Sequence, residues 1–471
     1  MKKFWKPEYL VSLAGCGLII YLLFVGPFIG VADNGDFLRM MNTIGLNYYD
    51  TAASYTDQFF NFSHSRFAYE NLFRGFYPSS QILVVLVPRV IGGLIHGSFF
   101  DVRLLGAVYG LLLLVATWLL VKYNARGSYV TGLLLGAAIL FVFYDIGYLA
   151  YFNSLFGEPV SMVFMLLTFA LGLRLTSQEK PTTKGLTLFF IAILFLVTSK
   201  IQNAPVGVAF ALIFLRFMTL DGERKWRKLA LRFSIAIFLV SIVMYVTAPK
   251  ELKHINLYQT VFFGILNESP DVKGDLQDLG LPERLEVLAG TNYFQTDTVI
   301  KQDDPSLVPD FYDRVSHKNV LFFYLKHPGR LIDNMEYAAS NSMAIRPYYL
   351  GNYEKSENKP AGALSYTYSG WSEFKNKHIP HTLGFLSLFY LLYFAGALFQ
   401  YFRSRDVRGR VAGELLMLLG LIGIFSFLVP ILGDGRADIG KHLFLFNVCF
   451  DMMVVVMFGW IVHKVVGIVR R

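Results

Sequence analysis

Cysteine and charge are what this 471-residue chain has least of. Its two cysteines, Cys16 and Cys449, both lie inside apolar runs, so neither a disulfide framework nor a cysteine-based zinc site has support. Charged residues make up 16% of the chain, against about 25% in soluble globular proteins. There is no Walker A sequence, no Gly-rich dinucleotide loop, no HExxH pair and no Gly-x-Ser-x-Gly elbow. These absences exclude a soluble enzyme, a disordered chain and a disulfide-rich secreted module. The formal net charge of +9 is dispersed beside apolar runs rather than gathered in a basic domain, so nucleic acid is not an expected partner.

What is abundant is apolar sequence, 54% of all residues, with aromatics at 16%. A spanning helix needs about 20 mostly apolar residues. Ten runs approach that: Tyr9–Val31, Leu104–Val121, Tyr129–Gly147, Pro159–Leu173, Leu186–Ser199, Ile201–Leu215, Phe233–Ala248, Thr382–Phe402, Leu415–Leu432 and Leu443–Val462. An eleventh, Ser80–His96, is interrupted by Pro88, Arg89 and Gly92-Gly93. The expected fold class is therefore an all-α polytopic membrane protein of about 10 transmembrane helices.

Charge bias sets the expected orientation. Connectors 1–8, 122–128, 174–185, 216–232, 403–411 and 463–471 hold 21 Lys or Arg and five Asp or Glu. Ten spans place all six on the cytosolic side, with both termini there, whereas an eleventh crossing would scatter them over both faces. Ser80–His96 is accordingly read as lying in the outer interface. The first apolar run is long for a signal peptide and lacks a small-x-small cleavage site after it, so it is read as a retained anchor. The domain plan is then a transmembrane module over 1–248 with a first outer loop at 33–101, an extracytoplasmic, mainly helical domain over 249–381, and C-terminal transmembrane helices over 382–471. No internal repeat of fixed period is visible.

Ionisable residues gather at the outer ends of the runs. Ala32-Asp33-Asn34-Gly35-Asp36-Phe37-Leu38-Arg39 puts two carboxylates where the first run ends, at a boundary where partial drying turns a carboxylate into a usable base. A continued helix would align Asp33, Asp36 and Arg39; a turn at Asn34-Gly35 would point both carboxylates into one pocket. The alternative is an ordinary helix cap by Asp33. Glu158 precedes Pro159 at the start of a run, where it suits either a site or a helix opening. Glu70 is a further candidate in the first loop. Lys200 interrupts an apolar stretch beside Gln202 and Asn203; at that depth it needs a partner or must snorkel, and a phosphate is such a partner. Arg436, Lys441 and His442 extend the same anion site, although Arg436 has Asp434 and Asp438 beside it as alternative partners. Asn447 and Asp451 share a face of the last run, which reads most simply as an interhelical hydrogen bond.

This layout resembles the GT-C class of membrane glycosyltransferases. The likeness rests on Asp33-Asn34-Gly35-Asp36 after the first run, Ser80–His96 as a juxtamembrane helix, Glu158 as a second acidic position and Thr198-Ser199-Lys200 as a lysine-bearing turn. Ala32–Phe37 and Lys441–Asn447 are similar to the bacterial cell-surface glycan hexose transferases of the WsfD-like family. The resemblance implies a polyprenyl-phosphate-linked sugar as donor and a surface glycan, wall polymer or glycolipid as acceptor. It implies catalytic roles for Asp33, Asp36 and Glu158, with Lys200, Arg436, Lys441 and His442 on the lipid phosphate and Arg39 and Glu70 as further first-loop candidates. It names no metal ligand and leaves divalent-metal dependence open, because neither the paired Asp-Glu of protein O-mannosyltransferases nor the Trp-Trp-Asp of oligosaccharyltransferases is present. The rival functions are a transporter or flippase of a lipid-linked sugar, and a scaffold that binds wall polymer.

Overall fold

A computed structural model describes residues 5–125 and 127–469. Residues 1–4, 126, 470 and 471, which belong to three of the six basic connectors, lie outside the described residues. Among those described, seven helices are long and apolar enough to cross a membrane. They are Pro7–Phe24, Arg103–Asn124, Glu158–Ser177, Arg224–Val246, Leu383–Arg403, Val407–Asp434 and a last one running from Phe444. Tyr129–Phe143 and Ile146–Asn153 make an eighth if the pair, bent by 54°, is one span. The chain is thus a multi-pass helical membrane protein. Helices also stand at the two remaining expected places, but Thr183–Val197 and Val206–Phe217 have only 15 and 12 residues. At 1.5 Å per residue neither matches a hydrocarbon layer of about 30 Å. The expected ten spans are therefore seven or eight long ones and two short helices.

The first helix is shorter than its apolar run. Pro7 opens it and it stops at Phe24, because Gly26 takes φ +94° and Pro27 follows. The remaining apolar residues run extended. Gly30 and Ala32 donate their N–H groups to the carbonyls of Asn352 and Gly351 at 2.9 and 2.8 Å, and Ile29 bridges Tyr353. The end of the first span is thereby tied to a loop some 320 residues on.

Gln81–Ile95 forms a 15-residue helix with Pro88 inside. Leu83, Val87, Val90 and Leu94 leave an exposed apolar stripe along it. The first loop adds a small antiparallel sheet that the sequence reading did not anticipate. Leu46–Tyr48 pairs with Arg66–Tyr69, and that strand with Phe100–Asp101.

Two cores hold the chain together. One joins the long helices, from Val11 to Val455, and takes in Ala338, Met343, Ile345, Leu350 and Trp371. The other packs residues 257–324 around Tyr258, Phe262, Leu285 and Phe311. The segment 249–381 therefore has a core of its own in its first part, while its second part plugs into the helix bundle. The deepest plug is the Gly370–His378 helix. Its Lys375 meets Asp451 at 2.6 Å with both side chains at 0% exposure. Asp451 also accepts from the Tyr148 hydroxyl at 2.6 Å and from Trp371 Nε1 at 2.9 Å. The interhelical hydrogen bond expected of Asp451 is there, but its main partner is a lysine from the long polar segment. Asn447 instead donates to the carbonyls of Ala344 and Leu443.

Candidate active site

Three walls, drawn from segments far apart in sequence, build one polar cluster. The first is the turn after the extended stretch. Asp33 is fully buried. One carboxylate oxygen accepts the N–H groups of Gly35 and Phe37 at 2.8 and 3.1 Å, and the other accepts from the Tyr48 hydroxyl. This is an Asx turn, and it needs Gly35 at φ +102°. Burial pushes the Asp33 pKa up, against the hydrogen bonds from Tyr48 and the Phe37 amide. With both oxygens engaged inside the core, Asp33 shapes the turn; the helix begins at Phe37 with Asp36 at its N-cap position, two residues later than the capping alternative expects. The turn releases Asp36, which starts the Phe37–Ile44 helix and meets Arg39 one turn on at 3.1 Å.

The second wall pairs Glu158 with Lys200. Ser79 donates to the Ser199 carbonyl at 2.7 Å and the Ser80 N–H to the Thr198 carbonyl at 3.0 Å. Gln81 donates to the carbonyls of Leu155 and Phe156 at 2.7 and 2.8 Å. The start of the Gln81–Ile95 helix thus clamps two connectors side by side. Asn203 bridges Ser161 and Ser199 at 2.9 Å each. Lys200 then reaches Glu158 at 2.6 Å, with the carboxylate 1% exposed and the lysine 19%. Gly157 makes room, since a Cβ there would stand 3.2 Å from Lys200 Cγ.

The third segment is the connector before the last helix. Lys441 is wholly buried, paired with Asp36 and donating to Asn34 Oδ1 at 3.0 Å. Its ammonium lies 4.3 Å from the centre of the Phe156 ring. Burial would lower its pKa, but Asp36, Glu158 and Asp438 together raise it. In return, although burial alone would raise it, Asp36 is held well below the usual carboxylate range by Lys441, Arg39 and Lys200.

Asp36, Arg39, Glu158 and Lys200 line a cleft of about 40 Å³ together with Tyr77 and Gln81. That is room for a few water molecules at most. Asp36 and Glu158 face Arg39 and Lys200 across the cleft, and Lys441 stands behind Asp36 with Asp438 acting on it, so an anion entering there would meet cations now held by carboxylates. Among the described residues no group of three His, Cys, Asp or Glu side chains is placed to hold a metal ion, and no step is assigned to one.

Of the residues singled out from sequence, Asp36, Arg39, Glu158, Lys200 and Lys441 come together. His442 stands at the edge, bound to Asp434 at 2.7 Å and to Gln202 Oε1 at 3.3 Å. Burial opposes its protonation, yet Asp434 raises its pKa. Arg436 turns elsewhere, to Glu268 at 2.6 Å and Asn334 at 3.0 Å. Neither expected neighbour holds it, because Asp434 takes His442 and Asp438 takes Asn34 and Tyr349. Glu70 is exposed at the end of its strand.

Sequence reading missed Asn34, Tyr48, Asp438, Tyr349 and Gln81. Asn34 is the hub: it donates to Asp438 at 3.1 Å and accepts from Lys441. Asp438 adopts φ +44°, a left-handed conformation costly for a non-glycine residue and found where surroundings over-determine it. The only signal available beforehand was its place in the Asp434–Lys441 charge run.

Compared with models of protein families, residues 1–471 match the YfdI N-terminal transmembrane domain. No curated protein matches the chain.

Proposed function

This chain belongs to the family of the YfdI N-terminal transmembrane domain, a family of GT-C-like membrane glycosyltransferases; on that premise we propose that the Asp36–Lys200 cleft moves a sugar from a polyprenyl-phosphate carrier to a hydroxyl on a surface glycan, wall polymer or glycolipid. The observation that carries this reading is a partly open base candidate, Asp36, set among Arg39, Lys200 and Lys441 at one cleft. The likeness of Ala32–Phe37 and Lys441–Asn447 to WsfD-like hexose transferases supports a hexose as the sugar. The charge bias of the connectors supports a cleft under the outer leaflet with both termini in the cytosol.

In this reading the donor phosphate binds Lys200 and Arg39 and competes with Asp36 for Lys441. Asp36, freed from its strongest partner, becomes a better base. The acceptor oxygen attacks the anomeric carbon and its proton passes to Asp36. The bond from that carbon to the phosphate oxygen breaks on the opposite face, which inverts the configuration. Polyprenyl phosphate leaves with the electron pair, its charge met by the lysines. Glu158 keeps Lys200 aimed, and Asp33 holds the turn that presents Asp36.

The test is transfer from polyprenyl-phosphate hexoses to an added glycan in proteoliposomes. Cleavage of the sugar–phosphate bond is expected, and Lys200→Met should weaken donor binding by about a hundredfold. Movement of intact labelled lipid without cleavage would assign the protein to transport instead. Asp438→Gly relieves the left-handed backbone but frees Asn34 and Tyr349. Transfer is expected to fall about tenfold to a hundredfold through misplaced groups, with the melting temperature held or raised. Unchanged activity would show that Asn34 and Lys441 keep their places without Asp438.

A further inference from the structure

A second cavity, of about 250 Å³, adjoins the ionic cleft and shares Arg39 and Tyr77 with it. The shared residues make the two spaces neighbours across one wall. The cleft of about 40 Å³ admits an anionic group but not a sugar ring as well. The larger space comes close to the roughly 300 Å³ at the lower end of small-molecule sites.

One wall comes from the first loop. Phe73 and Gly75 donate their N–H groups to the carbonyls of Thr43 and Asn42, and the Tyr77 N–H binds Thr43 Oγ1 at 3.1 Å. These bonds fold residues 73–77 back along the Phe37–Ile44 helix and leave the Phe76 ring 68% exposed. The facing wall is Pro249, Glu251, Leu252 and Ile255. Asn42 and Glu251 line this space, and neither side chain makes a hydrogen bond or ion pair among the described residues. An open aromatic face with an unbonded amide and carboxylate beside it, and the Arg39 guanidinium that Asp36 holds at the shared wall, matches a ring that is apolar on its C–H face and hydroxylated at its rim.

We infer that this cavity is a subsite for a pyranose ring, placed so that Arg39 and Tyr77 stand between the ring and the anion cleft. The inference rests on the glycosyltransferase reading. A pyranose reaches such an enzyme from either of two sources, the donor lipid or the acceptor glycan.

The experiment uses the full chain in nanodiscs with Phe76→Ala and Asn42→Ala, leaving Arg39 intact. Three probes are bound: bare polyprenyl phosphate, polyprenyl-phosphate hexoses carrying glucose, galactose or mannose, and the methyl glycosides of the same sugars as acceptors. If the ring belongs to the donor, at least one sugar-loaded lipid binds about tenfold more weakly in both variants while bare polyprenyl phosphate is unaffected. If it belongs to the acceptor, both lipids bind as before and the acceptor KM rises about tenfold at unchanged kcat. Equal weakening of bare and sugar-loaded lipid would overturn the inference in favour of a hydrocarbon groove, and no change in any of the three would overturn it outright. Full transfer by Asp36→Asn would sink the catalytic reading by itself, whatever the second cavity binds.

Discussion

Asp36→Asn is expected to lower sugar transfer by about 10²–10⁴-fold, the usual share of a general base, with donor affinity reduced far less. Asp36 is the one carboxylate that satisfies three conditions together. It lines the cleft, it is partly open, with 30% of its side chain exposed, and its present partners are cations that a phosphate would claim. Asp33 fails all three, being buried away from the cleft with both oxygens taken by backbone N–H groups and the Tyr48 hydroxyl. Glu158 is sealed against Lys200 at 1% exposure. Asparagine keeps the shape and the contact with Asn34 but takes no proton, so the loss should fall on kcat. Arg39, Lys200 and Lys441 still hold the phosphate, with Glu158 aiming Lys200.

The pH profile gives an independent reading of the same residue. Asp36 is depressed by Lys441 first among its neighbours, against its own burial. Its pairing therefore stabilises the fold above the ordinary Asp range and is lost only as pH falls through the depressed value. The acid limb of kcat/KM, which reports the free enzyme, should lie below about pH 4. Lys441→Met should move that limb upward, because the strongest counter-charge is gone. A limb that stays put in Lys441→Met would separate Asp36 from the rate.

The second large effect concerns stability. Asp451→Asn or Lys375→Met alone should cost about 3–5 kcal/mol, because each leaves an uncompensated charge or an unmet polar group in a site closed to water. Both side chains are fully buried, and Asp451 also takes the Tyr148 hydroxyl and the Trp371 indole N–H. Lys375→Met combined with Asp451→Leu should recover most of the loss, since well-packed apolar pairs often replace buried ion pairs at little cost. Equilibrium unfolding in mixed micelles measures both. Single variants within about 1 kcal/mol of wild type would mean that water or another group reaches this pair. The pair docks the Gly370–His378 helix into the bundle, and the same stretch of chain carries Gly351 and Asn352, which hold the extended run ahead of Asp33. Destabilisation here should therefore also slacken the cleft.

Much of this could be read from the amino acids. Asp36, Glu158, Lys200 and Lys441 each stood out as an ionisable residue at the end of an apolar run, because charge beside hydrocarbon is costly and seldom incidental. Long apolar runs gave the helices, since nothing else closes its own hydrogen bonds inside a bilayer. The same logic over-extended the first helix to Val31, as apolar composition does not distinguish a helix from an extended stretch paired elsewhere. It also did not show that two of the ten apolar runs form helices of only 15 and 12 residues.

Composition and charge bias by themselves determined a multi-pass helical protein with polar groups at the ends of its apolar runs, because solvent preference acts on each segment alone. Which cation meets which carboxylate was decided only by the tertiary structure. Lys441 finds Asp36 from 405 positions away, Lys375 reaches Asp451 rather than water, and Arg436 turns to Glu268. Pairing energy depends on distance and on the dryness of the surroundings, and both exist only after the helices have packed.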